Sequence, residues 1–197
     1  MSSSTSFEMR HKYETLGIVL ARSHAGEATT FVTLLTPDLG LVHARAQSLR
    51  SPGAKLASSL ATLTESSVVL VRGKDGWRVT GAVLEESWFT RLPSAASREV
   101  VARVSGLLLR MVAGEEQDSE LFPIMKGFLE ALAELPHESH EAVEVLALLR
   151  LLSVLGLDTG ELPGGESGFS PSLLAAIQEG RTGYVARINT GIAASGL

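Results

Sequence analysis

The hydrophobic period of this chain changes once, near Pro93, and that change commits it to a strand-rich half followed by a helical half. Before Pro93, apolar residues tend to recur at every second position in short runs between turn signals; after it they recur every three or four. "TLGIVLARS", "ATTFVTLLT" and "LVHARAQ" are the first three strand segments, separated by "HAGE" and by "PDLG", whose Pro favours a turn. In "LVHARAQ" a period of two puts Leu41, His43, Arg45 and Gln47 on one face and Val42, Ala44 and Ala46 on the other. "SPGAKLASSLATL" has helical spacing at Leu56, Leu60 and Leu63 and predicts a short helix. "ESSVVLVRG" and "WRVTGAVLE" are two more strands, joined by "GKDG", a hairpin signal.

The order β-β-β-α-β-β is that of a five-stranded Greek-key barrel, the OB-fold, although a small SH3-like barrel or an open sheet reads similarly. In the second half, "SREVVARVSGLLLRMVAG" carries a stripe of Val100, Val104, Leu107, Leu108 and Met111, with Gly114 as its stop. "DSELFPIMKGFLEALAEL" is a second helix, capped by Asp118 or Ser119, with Pro123 tolerated in its first turn. "SHEAVEVLALLRLLSVLG" is a third, capped by Ser139 and ended by Gly156. "DTGELPGGESG" is a loop, "SPSLLAAIQEG" a helix with a Ser cap and Pro at its first position, and "GYVARINTGIAASGL" a last helix. The fold class read from this is α+β in two domains: an OB-fold barrel over residues 1–90 and an all-α domain over 91–197.

With 45% hydrophobic and 20% charged residues, the chain has the material for a core. No apolar run reaches the ~18 residues of a membrane span; "VEVLALLRLLSVLGL" is interrupted by Glu144 and Arg150. "MSSSTSFEMR" lacks the apolar stretch of a secretory signal, so the expectation is a soluble, cytoplasmic protein with no membrane partner. The absence of cysteine excludes disulfides, thiolate metal sites and cysteine nucleophiles.

Little in the sequence assembles catalysis. His137 and His140, three apart and beside Glu138 and Glu141, have a spacing that a metal on a helix can use, but they equally suit a solvated helix start. "GGESGFS" does not match a nucleophile elbow, and no strand precedes it. The glycines have neither phosphate-loop nor dinucleotide spacing. The expectation is a non-enzyme with no cofactor and no metal.

The unusual feature is electrostatic. The chain has a formal net charge of −5, yet no acid stands between Leu41 and Ala61, where Arg45, Arg50 and Lys55 follow one another at intervals of five. Residues 1–82 hold nine Lys/Arg against six Asp/Glu, a net of +3; residues 83–197 hold eight against sixteen, a net of −8. Arg72, Lys74 and Arg78 add to the basic side, and over 41–80 only Glu65 and Asp75 oppose these six cations. Solvated loop charges, an anionic protein partner and a nucleic-acid backbone all remain open readings. In OB-folds the face of strands 2–3 and its adjoining loops bind oligonucleotides, which favours the third.

The order of segments in "GIVLARSHAGEATTFVTLLTPDLGLVHARAQSLRSPGAKLASSL" resembles the RecO family of recombination mediators: an apolar strand, a turn ending in Glu27, a segment with Leu34, Leu35, Thr36 and Gly40, and a basic connection before a leucine-containing segment. "LLLRMVAGEEQDSELFPIMKGFLEAL" and "EVLALLRLLSVLGLD" are similar to its helical half, so the resemblance covers roughly residues 12–158. Two features depart from the family. Many relatives carry a cysteine-rich zinc element that this short, cysteine-free chain cannot form, and the basic connection is thinner, with Ser48, Gly53 and Ala54 in it. The resemblance implies a DNA repair and recombination mediator without turnover. Such proteins bind ssDNA and dsDNA, anneal complementary strands, engage the acidic C-terminal tail of single-stranded-DNA-binding protein, and work with RecR to help load RecA. On this chain it implies a DNA surface of Arg45, Arg50, Lys55, Arg72, Lys74 and Arg78. It also implies a tail-binding site in the helical half, with Leu146, Leu149 and Leu152 lining a pocket and Arg110 or Arg150 supplying the charge; buried-core leucines and plain surface arginines are the competing reading. Glu27 reads as a structural turn residue, and Trp77 as a packing residue before a base-stacking one. The barrel's few aromatics point to backbone electrostatics over stacking. The other class open to the chain is a barrel-plus-helix module used only for protein–protein assembly.

Overall fold

The computed structural model describes residues 12–25, 29–47, 56–112, 118–163 and 168–196. Five strands, β1 (Lys12–Ala25), β2 (Thr29–Thr36), β3 (Gly40–Gln47), β4 (Thr64–Gly73) and β5 (Gly76–Ser87), close into a barrel in the order β1-β2-β3-β5-β4. That closure, with β3 parallel to β5 and β1 antiparallel to β4, is the OB-fold expected from the segment order. Helices follow, so the chain has the α+β layout predicted from its change of period.

Alternation explains the strands. On β2, Thr30, Val32 and Leu34 are buried while Phe31 is exposed. On β3, Ala44 and Ala46 are buried, and His43, Arg45 and Gln47 are exposed. The alternation fails at Leu35 of β2, buried between Leu34 and Thr36, and at Leu41 of β3, which is buried together with Val42. The turn between β2 and β3 is fixed by the Thr36 hydroxyl, which accepts from the Leu39 amide at 3.0 Å and donates to the Gly40 carbonyl at 3.1 Å. Gly40 takes φ +63°, a backbone state that glycine adopts without steric cost.

The helix expected over "SPGAKLASSLATL" is not one among the described residues 56–63, which form turns. The Leu60 amide reaches the Leu56 carbonyl at 3.0 Å, a single helical turn, but Leu63 sits at φ +62° and gives its amide to Val19 of β1. One turn without continuation does not repay helix nucleation, and the strand β4 begins at the next residue.

The helical part comprises α1 (Trp88–Arg91), α2 (Ala95–Met111), α3 (Leu121–Glu134), a 3-10 turn (His137–Ser139), α4 (His140–Val154), α5 (Pro171–Glu179) and α6 (Arg181–Ala194). Ser94 and Ser170 cap α2 and α5 by accepting the amides of Ser97 and Leu173. Ser139 makes no such bond, because the 3-10 turn already leads into α4. Asp118 acts ahead of α3, accepting from the Glu120 amide at 2.8 Å, and Pro123 lies in the first turn of that helix. Gly114 lies outside the described residues. At the end of α4, Gly156 takes φ +69°, the Leu157 amide bonds the Leu152 carbonyl at 2.8 Å and the Gly156 amide bonds that of Ser153 at 3.0 Å. This is a Schellman motif, which leaves few orphan carbonyls. α2, α3, α5 and α6 all pack against α4.

The chain divides into two compact units, one of Met1–Leu34 with His43–Glu86 and one of Leu35–Val42 with Ser87–Leu197. Among the described residues no helix is long and apolar enough to cross a membrane.

Candidate nucleic-acid interface

The parallel pairing of β3 with β5 sets Ala44 opposite Trp77 and Arg45 opposite Arg78. Ala44 and Trp77 are buried, so the next position on each strand points outward, and Arg45 and Arg78 stand side by side on the exposed face. Adjacent strands are about 4.8 Å apart, and like charges directly opposite one another are destabilising. Among the described residues neither guanidinium has an acid partner. The Arg45 Nη2 donates to the Thr29 hydroxyl of β2 at 3.2 Å, and the Thr33 hydroxyl meets His43 Nδ1 at 3.0 Å. Thr29, Phe31 and Thr33 of β2 thus share the outer face with His43, Arg45 and Gln47 of β3.

Lys74 is exposed at the β4–β5 turn, and Arg72 just before it lies over the Trp77 ring, 4.9 Å from its centroid. Trp77 is 9% exposed and meets Tyr13 edge-on, with centroids 5.2 Å apart. It is a packing residue, the reading that the sequence favoured. Glu65, one of the two acids in the basic stretch, is buried, so Asp75 is the acid of residues 41–80 that faces solvent. Four of the six cations named from the sequence, Arg45, Arg72, Lys74 and Arg78, are therefore exposed on the barrel, and two of them are strand neighbours. Arg50, Lys55 and Glu27 lie outside the described residues.

Arginines of the helical part are differently occupied. Arg91 pairs with Glu134, Arg103 with Glu144, Arg181 with Glu141 and Arg187 with Asp158. The Arg103–Glu144 pair is bidentate at 2.9 and 2.8 Å, and that carboxylate raises the pKa of Arg103 above its ordinary value. Leu146, Leu149 and Leu152 are wholly buried in α4. Arg150 is 5% exposed; its Nη2 donates to the Gly168 carbonyl at 2.9 Å, its guanidinium lies 5.0 Å from the Phe169 ring centroid, and burial lowers its pKa. Arg110 is exposed and lines a shallow groove on α2 with Ala102, Arg103, Gly106 and Leu107.

His137 and His140 have ring centroids 5.2 Å apart, but His140 is buried and its Nε2 is engaged with the Leu135 carbonyl at 3.1 Å. Among the described residues no group of three His, Asp or Glu side chains is placed to hold a metal.

The residue that sequence reasoning missed is Phe31, 40% exposed in the middle of the outer face of β2. The signal was there: Phe31 shares its parity with Thr29 and Thr33, the polar side of an alternating strand.

Residues 9–87 match the family model described as "Recombination protein O N terminal". The chain is also similar to curated proteins bearing the name DNA repair protein RecO. It is 31% identical to that of Dehalococcoides mccartyi (strain ATCC BAA-2266) over 122 residues, 62% of this chain and 48% of the relative. It is 32% identical to that of Heliobacterium modesticaldum over 157 residues, 76% of this chain and 56% of the relative. Residues 9–87 belong to the RecO N-terminal domain family. The match to the family's N-terminal model spans all five strands of the barrel: β5 closes at Ser87, the last residue matched. The chain spans about half the length of the curated relatives it matches.

Proposed function

We propose that this chain is a non-enzymatic mediator of DNA repair and recombination of the RecO type that holds DNA strands on the outer face of its barrel. The observation that carries the reading is the Arg45–Arg78 pair, two neighbouring exposed cations without an acid partner among the described residues. A phosphate between them replaces repulsion with two charge-assisted hydrogen bonds. The names of the relatives support the repair role. Residues 1–90 are the DNA-binding domain in this reading, with Arg50 and Lys55 as further phosphate-binding cations beside Arg45 in the sequence. Both ssDNA and dsDNA bind, since phosphate contacts carry no sequence information. The protein anneals complementary strands and, with RecR, assists RecA loading in the cytoplasm. Residues 91–197 are the helical domain that takes the acidic, apolar tail of single-stranded-DNA-binding protein. We place that tail at the α2 groove, beside Leu107 and Arg110, with Leu146, Leu149, Leu152 and Arg150 as the α4 core against which α2 packs.

A titration of a labelled single strand across a salt series tests the DNA reading. If about five barrel cations each neutralise one phosphate, log K against log salt slopes at about −3.5, from roughly −0.7 per contact. Replacing Arg45, Arg50 and Lys55 together with Ala weakens binding alike across sequences and flattens the slope by about 2. A triple variant that binds as wild type does, with the same slope, moves the DNA surface elsewhere.

A further inference from the structure

We propose that Phe31 is a base-stacking platform: the barrel holds a single strand by an unpaired nucleobase on this ring as well as by phosphates on Arg45 and Arg78. The inference rests on the reading of the barrel as a DNA-binding surface and adds to it the part of the nucleotide that is recognised. Isolated apolar residues on a surface need no explanation; the surroundings of Phe31 set it apart. Thr29 and Thr33, its neighbours on the outer face of β2, have shorter side chains, and Phe31 is the most exposed of the three. Both threonines are tied to β3, Thr29 through Arg45 and Thr33 through His43. Antiparallel alternation in this hairpin then places Phe31 beside Arg45, and the β3–β5 register places Arg78 beyond it. An aromatic face and two cations are thus aligned across three adjacent strands.

The other exposed large apolar side chains lack this combination. Val83 and Leu84 have no π face, the Phe89 ring lies under the Arg98 guanidinium, and Tyr13 packs against Trp77. Among the described residues no ring or cation covers the face of Phe31, and 40% of the residue is open to solvent. Base–aromatic stacking accepts any base and requires that base to be unpaired, so this ring selects single strands where the arginines do not.

The probe is a labelled oligothymidylate and an abasic strand of equal length, titrated with the whole chain at several salt concentrations. Phe31→Ala is expected to weaken binding of the oligothymidylate by about fivefold or more at fixed salt, the lower end of one stacked base. It leaves the abasic strand unaffected and the salt slope unchanged, because stacking releases no counterions. Phe31→Leu, which keeps apolar bulk without a π face, behaves like Phe31→Ala; Phe31→Trp restores binding. Ala and Leu variants that bind the oligothymidylate as wild type does overturn the proposal, and so does an equal loss on both strands. In either case a wild-type chain that binds the strands leaves the DNA-binding reading standing. A wild-type chain that binds neither strand overturns that reading and the stacking with it.

Discussion

Trp77 sits in the barrel wall under Arg72 and against the edge of Tyr13, with its β3 partner Ala44 fully buried beside it. Large buried aromatics contribute mostly by area and packing, so Trp77→Ala should cost about 3 kcal/mol or more of folding stability. Denaturant unfolding of the two proteins measures it; a cost under about 1 kcal/mol, the level of a tolerated hydrophobic swap, would show that the ring is dispensable to the fold. Trp77→Phe keeps most of the buried area and should leave the salt slope of DNA binding at its wild-type value. The sequence made Trp77 conspicuous because it follows a hairpin turn, and strand parity made it inward. The same parity rule marks Phe31 as outward, but a Phe in a β-branched run reads as core on composition alone. Arg45 and Arg78 were each visible as cations. Their adjacency was not, because the parallel β3–β5 contact joins residues 33 apart and leaves no local trace in the sequence.

At the scale of the element, α4 is the helix on which the other helices of its unit depend. Most of its circumference is apolar, as a helix must be when others surround it: Val143, Leu146, Ala147, Leu149, Leu151 and Leu152 have no exposed surface. Leu149→Ala should therefore cost about 2–5 kcal/mol, the range for a leucine removed from a core that cannot collapse around the cavity. A thermal or denaturant melt checks this, and a change below about 1 kcal/mol would mean that the site is plastic or open. The start and stop of this helix show what the sequence carries. Gly156 was legible as a stop because its conformational freedom is a property of the residue itself, and the structure uses it at φ +69°. Ser139 was legible only as a residue type. Whether its hydroxyl caps depends on backbone geometry that the preceding 3-10 turn supplies. The same limit explains residues 56–63, where leucine spacing was helical but the pull of Val19 on the Leu63 amide was invisible.

Across the whole molecule the charge is divided: +3 over residues 1–82 and −8 over 83–197. The division is sharper in the structure: Arg91, Arg103, Arg181 and Arg187 are already paired with acids, whereas Arg45, Lys74 and Arg78 have no acid partner among the described residues. Arg110 is the exposed cation of the α2 groove that is left to meet an acidic ligand, since Arg103 beside it is held by Glu144. On the proposed reading, two anionic partners are served by two different sets of cations, and each set can be removed without touching the other. Arg45 and Arg78 belong to one compact unit and Arg110 to the other, so the effects should not mix. The expected outcome is a double dissociation. Arg110→Glu should abolish binding of a fluorescent acidic tail peptide with an apolar tip and leave the Kd and salt slope for a single strand unchanged. Arg45→Ala with Arg78→Ala should weaken the strand and flatten its slope by about 1.4, two contacts at roughly 0.7 each, while the peptide binds as before. If Arg110→Glu leaves the peptide bound, the α2 groove is not its site. If the Arg45/Arg78 variant loses the peptide as well, both anions compete for one surface, and the division of charge along the chain does not correspond to a division of partners.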